Sequence, residues 1–81
     1  MLYTDLVAQS VEELASHFTA MSIEEVFATM RQLEVLSENV EGEEREEVLS
    51  RIALVEEEIE RRFPGQLLAP YRDWKKSQPL L

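Results

Sequence analysis

VLSRIALVEEEIERRFPG, residues 48–65, places Val48, Ile52, Val55 and Ile59 at spacings of four, three and four. Those spacings return each side chain to one side of a 3.6-residue turn, so the segment predicts an amphipathic helix. Leu49 and Phe63 lie beside that stripe. Pro64 and Gly65 stop it, because proline lacks the N–H donor that a helix interior needs and its ring clashes with the carbonyl four residues back. Working back from Val48, Glu43, Glu44, Glu46 and Glu47 fill the first turns, and Arg61 and Arg62 fill the last. Carboxylates at the start and cations at the end both oppose the helix dipole. The predicted helix therefore runs over 43–63, and the sign change inside EEEIERR is partly what any long helix prefers.

Upstream, Ser22 is followed three residues later by Glu25, a capping-box pattern that predicts a second helix start. Ile23, Val26, Phe27, Met30, Leu33 and Leu36 trace its buried face. Met21 and Val26 are placed to staple its entry, and Asn39 and Gly42 supply the stop and the turn. A turn that short makes the second and third helices an antiparallel hairpin. Earlier still, Val7, Val11, Leu14, Phe18 and Met21 share one helical face. Thr4 caps a helix beginning at Asp5. Ser10 with Glu13 caps one beginning at Val11. Leu6 and Val7 extend the stripe and favour the longer version.

The end of the chain, QLLAPYRDWKKSQPLL, reads as a Pro-bounded basic and aromatic tail over 64–81. Pro70 suits the first position of a short helix holding Tyr71, Trp74 and Lys75, and Pro79 limits it. Leu67, Leu68 and Trp74 are too apolar for water and are expected to fold back over the hairpin.

The 81 residues are 44% apolar and 31% charged, with two glycines, three prolines and no cysteine. That composition suits one folded domain, over 1–81, of few long elements with a small core. Disulfides and thiolate metal sites are excluded. A soluble, cytoplasmic protein is expected, because no signal-peptide block or ~18-residue apolar run appears.

The net charge is −9 and unevenly placed. Residues 1–60 carry sixteen acids and three bases, a net of −13, and residues 61–81 carry five bases and one acid, a net of +4. An acidic body repels nucleic acid and anionic lipid and attracts a basic protein surface.

Three motifs bear on chemistry. His17 lies four residues after Glu13, a spacing that lets the two share a proton or metal, but one histidine and one carboxylate are too few ligands for a stable site. A histidine at the helix boundary explains it more simply. Glu44 and Glu47 form a Glu-x-x-Glu pair of the kind that all-α nucleotide pyrophosphohydrolases use for magnesium. Here the later acidic pair is missing, because Asp73 has no partner glutamate. Residues 38–60 hold ten acids and two arginines, which form either a solvated face or a docking surface for a basic partner. At its extreme such an array mimics DNA phosphates.

The sequence thus predicts an all-α protein: a three-helix bundle, made of the hairpin and an N-terminal helix, with a short helical tail. With so small a core, pairing into a homodimer would add stability. The expected job is protein contact, as adaptor, inhibitor or assembly factor, with no cofactor and no catalysis. The contact residues expected are Tyr71, Arg72 and Trp74 in the tail and Glu56, Glu57 and Glu60 on the acidic face. The alternatives are a magnesium-dependent hydrolase using Glu44 and Glu47, and an acidic DNA mimic.

Overall fold

The computed structural model describes residues 10–78, and all its regular structure there is helical. Helix α1 spans Val11–His17 and passes into a 3-10 turn at Phe18–Ala20. Helix α2 spans Ile23–Ser37, α3 spans Gly42–Arg62 and α4 spans Ala69–Ser77.

Both capping boxes form. The Ser22 Oγ accepts from the Glu25 amide at 3.1 Å, and the Glu25 carboxylate accepts from the Ser22 amide at 2.8 Å. Ser10 and Glu13 repeat the exchange at 3.1 and 2.9 Å. That second box corrects the expected start of the first helix. Ser10 is extended, with φ −69° and ψ 165°, so α1 begins at Val11 and cannot run unbroken from Asp5. A capping box that satisfies two orphan donors, one through the Ser10 hydroxyl and one through the Glu13 carboxylate, outcompetes a helical Ser10. Thr4, Leu6 and Val7 lie outside the described residues.

At the end of α2, the Asn39 side chain donates to the Val35 carbonyl at 2.7 Å and its amide to Leu36 at 2.9 Å. Gly42 then takes φ +65°, a conformation that costs a side-chain-bearing residue ~1–2 kcal/mol. The chain reverses there, and α3 returns along α2. Two long-range bonds fix the antiparallel sense. Arg45 Nε, near the start of α3, donates to the Ser37 carbonyl at the end of α2. Arg62, at the end of α3, donates to the carbonyl of Met21, just before α2.

The core lies where these helices meet. Leu14 and Phe18 come from the N-terminal helix and turn, Val26, Phe27, Met30 and Leu33 from α2, Val48, Val55 and Ile59 from α3, and Tyr71 from α4. Met21, Ile23, Leu36, Ile52, Phe63, Leu68 and Trp74 pack around it half-buried.

The link between α3 and α4 holds one departure from expectation. Leu68 and Trp74 fold back, but Leu67 stays 75% exposed. Leu67 and Leu68 both take left-handed φ, 52° and 65°, in reversing the chain after Pro64 and Gly65. The reversal carries one leucine to the core and leaves its neighbour outside. Hydrogen bonds hold it in place: Gly65 donates to the Glu60 carboxylate, and Arg72 donates to the Leu67 carbonyl.

Candidate functional site

Helix α3 carries more on its inner side than the four aliphatic residues that announce it. Residues 48, 51, 52, 55, 58, 59 and 62 all recur at spacings of three or four, so Arg51, Glu58 and Arg62 share the stripe of Val48, Val55 and Ile59. Arg51 and Glu58 are accordingly buried. Arg51 donates to the Glu47 carbonyl one turn earlier, at 3.0 Å. Glu58 is gripped by two guanidinium groups. Arg61 pairs with both of its oxygens, and Arg62 Nε donates to Oε2 at 2.6 Å. The other end of Arg62 reaches out of its helix to the Phe18 carbonyl at 2.7 Å and the Met21 carbonyl at 3.1 Å. The hydrogen bond from Arg61 lowers the Glu58 pKa most. Burial acts against it, and Arg62 adds a second lowering. All the ligands of this cluster come from the chain itself, so it clamps α3 to the α1–α2 corner.

A second polar contact ties α4 to α2. The Tyr71 hydroxyl donates to Glu34 Oε1 at 2.6 Å, and Lys75 Nζ lies 3.5 Å from the same oxygen. The Lys75 ammonium also sits 4.6 Å from the centre of the Tyr71 ring. Burial first, and the Glu34 carboxylate second, push the phenol pKa well above its ordinary value. Tyr71 is therefore a neutral donor with no base chemistry to offer. Tyr71→Phe is expected to cost ~1 kcal/mol at neutral pH, because half-exposed Glu34 regains water. An unfolded phenol ionises near pH 10 while the native one stays neutral, so the wild type loses this advantage as pH rises past that value. Urea melts at pH 7 and about pH 10.5 test this; a gap that widens with pH would contradict it.

The expected contact residues do not form one patch. Tyr71 is 1% exposed, and the contacts it makes are internal. Trp74 is half-buried, with its ring centroid 5.6 Å from that of Phe27. Arg72 is exposed, with its guanidinium on the Leu67 carbonyl. Glu56, Glu57 and Glu60 are exposed on α3. Glu56 and Glu60 wall a hollow of about 290 Å³ with Leu67 and Leu68.

A feature absent from the sequence reading lies on α2. Ala28, Arg31, Gln32, Val35 and Leu36 line a groove of about 330 Å³ whose other wall is Trp74. Val35 stands 52% exposed there. The signal for it was available: Val35 is a β-branched residue off the buried stripe of its own helix, and such residues usually pack against something.

Glu44, Glu47 and His17 are all exposed. Among the described residues, no three His, Asp or Glu side chains gather closely enough to hold a metal ion. No helix there is long and apolar enough to cross a membrane. The chain matches no protein-family model, no curated protein and no solved structure.

Proposed function

We propose that this chain is a small acidic helical protein that works by binding other proteins, and that a basic surface is its partner. The observation that carries the reading is where its charge lies. Of the ten acids in residues 38–60, nine are exposed, and the tenth, Glu58, is turned inward and neutralised by Arg61 and Arg62. Of the two arginines in that stretch, Arg51 is buried, so little positive charge interrupts the field seen from outside. Glu56 and Glu60 border an apolar hollow at Leu67 and Leu68, which pairs charge with a place for a partner's apolar side chain. A homodimer would also be a protein contact, but two copies that each carry −9 repel, so it would use a face other than this acidic one.

The test is affinity capture from native lysate, with the wild type beside a Glu56→Gln, Glu57→Gln, Glu60→Gln variant. Three exposed charge contacts together are worth a few kcal/mol at most, so the variant is expected to bind roughly tenfold more weakly. Capture should also fail as salt rises from about 0.1 M to about 1 M, where the screening length shrinks from ~10 Å to ~3 Å. Capture indifferent to both salt and the triple substitution would refute the electrostatic reading.

A further inference from the structure

We propose that a second copy of this chain docks on the groove between α2 and Trp74, the two α2 helices crossing antiparallel about a twofold axis near Val35. The inference rests on the reading of the chain as a protein that works through contacts, but it uses a different face from the acidic side of α3.

Two copies that each carry −9 repel one another, so they can meet only where local charge is not uniformly negative. Three arginines precede residue 60. Arg45 is held by the Ser37 carbonyl, Arg51 is buried, and Arg31 is exposed at the groove. Glu38 is exposed seven residues further along. Arg31, Val35 and Glu38 are separated by four and three positions, so they stand in one row on the helix. Neither Arg31 nor Glu38 forms an ion pair with another described residue.

Rotating that row about an axis through its middle superposes it on its own complement. Residue 31 of one copy then faces residue 38 of the other, within about one residue's rise of 1.5 Å, and the reach of an arginine covers the offset. The Arg31–Glu38 pair forms twice, with Val35 against Val35 between the two pairs. Such self-complementarity is what an isologous contact requires. Ala28 adds no bulk at the rim, and Trp74 supplies a large half-buried ring, the residue type that most often anchors an interface. The patch is small, so the dimer is weak and visible only in concentrated solution.

The test is sedimentation equilibrium over roughly 10 µM to 1 mM, the range suited to weak association. The samples are the wild type, Arg31→Glu alone, Glu38→Arg alone, and the two variants mixed in equal amounts. The wild-type mass is expected to rise toward that of a dimer. Each variant alone faces like charges twice and should dissociate at least tenfold more readily. The mixture should recover, because each Arg31→Glu copy then meets an arginine and each Glu38→Arg copy meets a glutamate. Recovery in the mixture shows that both variants fold. A wild-type mass that stays monomeric, single variants that pair as well as the wild type, or a mixture that does not recover would each overturn the proposal. Salt-sensitive capture through Glu56, Glu57 and Glu60 should be unchanged in both variants. A wild type that stays monomeric while capture is intact therefore removes this inference alone.

Discussion

Replacing Phe27 with alanine is expected to lower the melting temperature by roughly 12–40 °C, the largest loss from any single change considered for this chain. The figure follows from a cost of ~3–5 kcal/mol for emptying a buried phenylalanine site and from the 4–8 °C that each kcal/mol is worth in a domain this small. Total stability for 81 residues is about 4–12 kcal/mol, so the change removes a large share of it. Phe27 earns that weight by position. Its ring centroid lies 6.2 Å from Phe63, 5.6 Å from Tyr71 and 5.6 Å from Trp74, so it joins α2 to the end of α3 and to both aromatic rings of α4. Without it, α4 keeps the Tyr71–Glu34 bond but loses the surface it rests on. Trp74 is the chain's one tryptophan, so its emission should shift to the red before the helical signal is lost. Phe27→Leu keeps most of the volume and should cost far less. A fall of under ~5 °C for the alanine variant would mean that the aromatic cluster is not part of the cooperative core.

What the sequence disclosed and what it hid divide along one line, the distance over which a residue's partner lies. Ser22 and Glu25 were legible because a capping box is closed within four residues. Ser10 and Glu13 were equally legible, and they failed to decide the helix start only because Leu6 and Val7 extended the same apolar stripe. Val48, Val55 and Ile59 were legible because a period of 3.6 is local. Glu58 was not, although it occupies the same stripe. The other glutamates in EEEIE are solvated, and a carboxylate in a stripe looks like them until its cations are known to converge. Those cations, Arg61 and Arg62, look from the sequence like ordinary helix-end charges. The Tyr71–Glu34 bond joins residues 37 apart, and no local pattern announces it. The same limit split the expected contact set. Tyr71, Arg72 and Trp74 lie within four residues of sequence, but on a helix Tyr71 and Trp74 share one face, where their rings stack 6.1 Å apart against Phe27, while Arg72 turns to solvent.

The second large effect is expected at Arg62. Arg62→Met keeps the apolar stem and removes every donor, which leaves the Phe18 and Met21 carbonyls without the guanidinium and Glu58 with Arg61 alone. Breaking a charge-assisted network that is mostly out of water is expected to cost ~2–4 kcal/mol, close to the loss of a core side chain. Lysine should rescue only part of it, because one ammonium cannot span a carboxylate and two carbonyls as the planar guanidinium does. Acid separates the two roles. The native pKa of Glu58 lies below its ordinary value of 4.5, so the carboxylate holds its proton more weakly in the fold than in the unfolded chain. Its contribution is therefore complete above the unfolded value and is lost as pH falls from 4.5 through the lowered native one. The Phe18 and Met21 carbonyls do not titrate. A double-mutant cycle of Arg62→Met with Glu58→Gln should show coupling of ~1–3 kcal/mol at pH 7, shrinking toward zero once Glu58 is protonated, while the direct cost of Arg62→Met persists in the Glu58→Gln background. Coupling near zero already at pH 7 would mean that the ion pair contributes nothing and that Arg62 acts only as the clasp between the end of α3 and the turn that precedes α2.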